Sequence, residues 1–220
     1  MYKSECISGG LNMVLRYALC LFIAIFVSGC AIGNTTNFDI DGTNTTVQTD
    51  KTVAVGTLDI RSYIVSKDKT PDFVGLQRGG FGNPFDVTTT SKAPLSEDIT
   101  ASLISALRKN GVDATPVSIV DDGNYKTVVS SLVKINRQRS ILMIVNELKS
   151  DTFYNTAFLY DLRLQVLDES GERIAESAVQ GRDNLGPLGL PSDVGIAVTS
   201  AFQRKLESLL SDPAVVDALK

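Results

Sequence analysis

The chain has 220 residues, 43% of them hydrophobic and 21% charged, with 17 Gly and 7 Pro, which suits one globular core and excludes a disordered, collagenous or multi-span membrane chain. A formal net charge of -4 leaves no basic excess to neutralise phosphates, so nucleic-acid binding is set aside. With no histidine, Ser/His and Cys/His nucleophile pairs, histidine bases and nearly every zinc or non-haem iron site are excluded too, and no metal or other cofactor is expected.

Residues 13–30 read MVLRYALCLFIAIFVSGC, with one basic residue, Arg16, then a continuous apolar run and small residues before a cysteine. This is the pattern of a secretory signal, too short and wrongly flanked for a stable membrane span. Residues 1–12 lack signal character, and a start at Met13 gives a signal of conventional length. Val27, Ser28, Gly29 and Cys30 resemble the lipobox of bacterial lipoproteins. That resemblance implies diacylation of the Cys30 thiol, cleavage before it and acylation of the new amine. Cys6, Cys20 and Cys30 all lie at or before the cut, so the mature body has no thiol or disulfide chemistry. Ala31 follows the cysteine; by resemblance to the enterobacterial sorting rule, the absence of Asp there implies the outer membrane, with the body facing the periplasm.

Residues 31–50, rich in Thr, Asn, Asp and Gly with no apolar repeat, read as a flexible tether. The expected division is therefore a signal over 1–29, a lipidated cysteine and tether over 30–50, and a single domain over 51–220. Val53, Val55 and Thr57 alternate, predicting a strand over 51–60, and a long irregular segment over 62–94 follows. Residues 96–110 place Ile99, Leu103, Ala106 and Leu107 at helical spacing, with acids first, bases last and Gly111 beyond. Strands are expected over 112–120 and, from the TVV centre, over 125–136. The apolar run SILMIVNELKSD stays open between strand and helix. Residues 153–167 alternate as a strand through Tyr154, Phe158, Tyr160, Leu162, Leu164 and Val166, and after the turn Asp168–Glu169–Ser170–Gly171 residues 173–180 return as its hairpin partner. A helix over 192–210, with Val194, Val198, Ala201, Phe202, Leu206 and Leu209 on one face, and a short helix over 213–219 close the chain. The order suits an α+β fold: one mainly antiparallel sheet with two principal helices packed on one face.

Over 95–220 the runs SEDITASLISALRKNGV, NYKTVVSSLVKI and YNTAFLYDLRLQVLD and the ending LESLLSDPAVVDALK resemble the YajG-like bacterial outer-membrane lipoproteins. The resemblance implies an outer-membrane-attached periplasmic domain with a fold like those of accessory lipoproteins of secretion and export machines, and it carries no catalytic motif.

The segment 75–84 holds four glycines with Arg78 and Asn83, but it lacks the Gly-Lys-Ser/Thr end of a P-loop and the Rossmann spacing. It reads as a long ordered loop or a partner-docking loop, with a small-anion cradle as a lesser alternative. Phe73, Arg78, Gly79, Gly80, Phe81, Gly82, Asn83 and Phe85 are its partner-binding candidates. Arg137 and Arg139, alternating at the end of the expected third strand, are minor candidates for an anionic glycan or lipid. Asp59, Glu147, Asp161 and Glu176 sit where outward polar residues belong on strands, so no catalytic residue is assigned. The resulting expectation is a non-enzymatic envelope lipoprotein, held to the membrane by lipid on Cys30, whose body docks on an envelope protein complex through the glycine-rich loop or a sheet edge. The alternative is a binding module for a peptidoglycan, glycan or lipid ligand.

Overall fold

The computed structural model describes residues 34–120, 124–187 and 190–220. Cys30 and the signal segment lie outside the described residues. The elements in chain order are β1 (Thr35–Thr36), β2 (Val53–Asp59), α1 (Ser62–Val65), β3 (Phe73–Arg78), β4 (Pro84–Thr89), α2 (Leu95–Lys109), β5 (Ala114–Pro116), α3 (Tyr125–Val133), β6 (Arg139–Thr152), β7 (Thr156–Leu167), β8 (Arg173–Asn184), α4 (Pro191–Leu210) and α5 (Pro213–Leu219).

The fold is α+β, built on an eight-stranded mixed sheet in which the long antiparallel ladders β6–β7–β8 carry most of the pairing. β6 is its axis. One edge of β6 pairs throughout with β7, while the other is shared: β2 runs parallel to its first half, from Val53↔Arg139 to Asp59↔Val145, and β3 runs parallel to its end, from Gly75↔Ser150 to Gln77↔Thr152. β5 continues the sheet beyond β2, and β4 then β1 beyond β3.

Both sheet faces are covered. Val53, Val55, Ile141, Met143 and Val145 join the larger core with α2, α4 and α5, whereas Ala54, Leu58, Leu142 and Ile144 join a smaller one under α3. A strand buried on both sides reads as an unbroken apolar run, which is why Ile141–Val145, the apolar half of SILMIVNELKSD, showed no usable period. α2 and α4 are the principal helices, and α4 buries Val194, Val198, Ala201, Phe202, Leu206 and Leu209 as their spacing predicts.

Four expectations are corrected. Residues 125–133 form α3, not a strand: the Asn124 side chain accepts from Lys126 N at 3.0 Å, and Val128 and Leu132, one turn apart, fill the smaller core. Packing on that face outweighs the strand preference of Thr127–Val128–Val129. The irregular segment 62–94 holds α1 and the hairpin β3–β4, and the strand expected over 112–120 shrinks to β5. From Asn34 to Asp50 the segment expected to be a free tether is instead packed onto the body. Phe38, Ile40 and Val47 are buried in the larger core, Phe38 meets Phe202 edge-on at 5.0 Å, Ile40 N donates to Ser102 Oγ and Gln203 Nε2 donates to Gly42 O. These apolar residues are spaced irregularly because an extended strap fills a crevice between helices and presents no periodic face.

Candidate functional site

The glycine-rich segment is a hairpin tip. β3 and β4 pair from Gly75↔Val87 to Arg78↔Pro84, Gly79 N donates to Asn83 O at 2.9 Å, and Gly82 N donates to Gly79 O. Gly82 has φ +82°, the left-handed conformation that side chains disfavour. Gly75 serves a different need: a Cβ there would stand 2.2 Å from Ser150 Oγ, so its absence lets β3 close onto β6.

The partner-binding candidates separate in this geometry. Phe73 is 2% exposed and packs edge-on against Tyr63 at 5.4 Å, so it is a core residue and cannot meet a partner, which corrects the sequence expectation. Phe73 opens β3 with its side chain inward, a parity that the irregular reading of 62–94 could not reveal. Arg78 gives its fork to Asp151, Nε to Oδ1 at 2.8 Å and Nη2 to Oδ2 at 2.7 Å, which holds the Asp151 carboxyl below its ordinary range. That pairing uses the cation of the proposed anion cradle. Gly79, Gly80, Gly82 and Asn83 form the turn, and Phe81 and Phe85 project from it; Phe81 is fully exposed. Arg137 and Arg139 are also committed, the first to Asp113 Oδ2 and Thr115 Oγ1, the second to Ala218 O.

A second tip stands beside the first. The β6–β7 turn carries Phe153 and Tyr154, both exposed, with ring centroids 4.1 Å apart. β3 ends against Thr152, and Arg78 reaches Asp151, so the two tips share one end of the sheet. Among the described residues five aromatics are strongly exposed, and Phe81, Phe85, Phe153 and Tyr154 are four of them. The sequence reading had put Tyr154 on the inward face of a strand; the Phe–Tyr–Asn triplet ahead of the alternation was the available signal for a turn.

A groove of about 1290 Å³ runs along the opposite, β5 side of β2. Leu58, Ala101, Ile104, Val117 and Ile119 give it an apolar floor, and charges of both signs line it, Asp39, Asp41 and Glu97 with Arg108 and Lys109. β5 pairs with β2 only as far as Val55↔Pro116, so Thr57–Asp59, paired on their other side with β6, line the groove. Gly56 permits this closeness, since a Cβ there would meet Ile119 Cγ1 at 2.7 Å. The sequence reading missed the groove because it forms between a helix and the coil after β5, which share no local pattern.

The carboxylates weighed for hydrolysis are engaged. Asp59 pairs with Arg61, Glu147 accepts from Tyr63 Oη at 2.5 Å, Asp161 from Asn146 at 3.2 Å, and Glu176 from Gln165 and Arg173. No helix among the described residues is long and apolar enough to cross a membrane.

No family model matches the chain, and no curated protein matches it by sequence. Among solved structures it is similar to a Xanthomonas campestris protein, XCC0632, of the DUF330 family, at 11% identity and TM-score 0.45, over 80% of this chain and 90% of that one. It is similar also to a PelC dodecamer from Paraburkholderia phytofirmans, at 15% identity and TM-score 0.41, over 77% and 94% of the two chains. The lipoprotein GNA1162 from Neisseria meningitidis matches at 10% identity and TM-score 0.30, over 70% and 96%. Likenesses at this level do not assign a function.

Proposed function

We propose that the chain is a lipid-anchored protein of the bacterial cell envelope, without catalytic activity, whose body docks on an envelope protein through the groove beside β2. The lipobox-like Val27–Ser28–Gly29–Cys30 supports the anchor, and Ala31 supports the outer membrane with the body in the periplasm. The observation that carries the docking reading is the groove itself: an apolar floor against the part of β2 that β5 leaves uncovered. Such a floor can take the apolar side chains of a partner's segment, their burial supplying the affinity.

A photo-crosslinking side chain in place of Val120, exposed at the groove, tests this in living cells, with Arg204 on α4 as the control position. The expected result is one recurrent envelope protein joined from position 120 and absent from position 204. Adducts only with peptidoglycan or glycan fragments would replace the reading with a ligand-binding one, and adducts only with a second copy of this chain would make the groove a self-association surface.

A further inference from the structure

We propose that the two aromatic tips, Phe81 with Phe85 and Phe153 with Tyr154, rest in the interfacial layer of the membrane that holds the lipid anchor. The inference depends on the Cys30 anchor of the function proposed above and adds a second, protein-borne contact with the bilayer.

Three observations meet here. First, the tips gather four strongly exposed aromatics at one end of the sheet, clamped together by the Arg78–Asp151 pair. Tyr is at home at the headgroup level, and exposed Phe rings bury at the boundary between headgroups and acyl chains. Second, the chain enters the body at this end. β1 is parallel to β4, with Thr35↔Thr88 and Thr36↔Thr89, and Asn34 O accepts from Thr88 N at 3.1 Å while Asn34 Nδ2 donates to Gln77 Oε1. Followed backwards from Thr35, the chain therefore heads toward the Pro84 end of β4, where the tip lies. Third, the leash is short. Cys30 precedes Asn34 by four residues, at most about 14 Å of extended chain. Phe81 lies four residues beyond Gln77, in the turn that closes the hairpin, at most about 14 Å along extended chain. A lipid on Cys30 thus cannot hold the body far from the bilayer, and the side it holds nearest is the one carrying Phe81 and Tyr154. Packing of residues 34–50 onto the helices removes the slack that a free tether would supply.

The chain contains no tryptophan, so a single introduced one reports its own surroundings. Full-length lipidated protein is made as three variants, Phe81→Trp, Tyr154→Trp and, at the far end of the sheet where β8 begins, Ile174→Trp. Each is reconstituted in vesicles of phosphatidylethanolamine and phosphatidylglycerol, with and without bromine on the acyl chains, and flotation is measured alongside fluorescence. The expected result is bromine-dependent loss of emission and a blue shift from positions 81 and 154, with neither from position 174. Flotation with emission from 81 and 154 as unquenched and red as that from 174 overturns this proposal and leaves the anchor standing. Absence of flotation overturns both, and identical quenching at all three positions overturns the orientation.

Discussion

Arg61, wholly buried, donates from Nε to Asp59 Oδ1 at 2.8 Å and from Nη2 to Asp59 Oδ2 at 2.7 Å, while its Nη1 donates to Phe73 O at 2.7 Å and Leu148 O at 3.1 Å. This fork closes the point where β2 leaves the edge of β6 and β3 takes its place, so main-chain carbonyls that no strand could pair are satisfied by one side chain. Burial pulls the guanidinium toward neutrality, and Asp59 more than offsets it, raising its pKa further.

Arg61→Met is expected to lower stability by about 3–5 kcal/mol, because it leaves a carboxylate and several carbonyls without a donor in the interior. Adding Asp59→Asn should recover part of that loss by removing the orphaned charge. Urea unfolding of the single and double variants measures both; a cost for Arg61→Met no larger than that of a surface substitution would contradict the role of the fork.

Asp98, on α2, is 4% exposed, and its Oδ2 has no partner among the described residues. Burial raises its pKa, aided by Asp39 and Glu97 and opposed by a hydrogen bond from Ser91. A folded-state pKa above the unfolded one means that stability falls as pH rises through the raised value and that no penalty exists well below the ordinary carboxylate range. Asp98→Asn should therefore stabilise the protein at neutral pH, with the gain vanishing in acid, as thermal melts across pH will show.

Asp151 has the opposite sign. Its hydrogen bond from Arg78 lowers its pKa, so its contribution is present above the ordinary carboxylate value and is lost as pH falls through the depressed one. Arg78→Ala should remove that acid-side loss and free the two tips from each other, read as faster amide exchange at Gly79–Asn83 in native-state hydrogen exchange. Unchanged exchange would show that the ion pair does not hold the tips.

Glycines in the hairpin should divide by geometry. Gly75→Ala puts a Cβ against Ser150 Oγ and O and is expected to cost about 1–3 kcal/mol. Gly80→Ala meets nothing within 4 Å and should change stability by less than about 0.5 kcal/mol. Equal effects in denaturant titrations would contradict the close approach of β3 to β6.

Elements with a single wet face were legible in the sequence. The dipole-matched ends and apolar stripe of α2, the stripe of α4, and the alternation of β7 from Thr156 onward with its return in β8 stand where their periods place them. Elements enclosed on both sides were not, since the Ser140–Val145 half of β6 has no polar face to betray its period, and α3 carries strand-favouring residues whose fate is decided by the core they meet. The tip residues Phe81 and Phe85 were visible as aromatics among glycines, whereas their neighbours Phe153 and Tyr154 and the groove beside β2 arise from strands brought together over long chain separations.

The anchor at Cys30 is tested by the intact mass of the protein extracted from the native membrane fraction. A chain beginning at Cys30 and heavier than its residues by attached acyl chains is expected, with Cys30→Ala yielding an unacylated form that leaves the membrane fraction. A chain retaining the residues before Cys30, or beginning there without acyl mass, would contradict it.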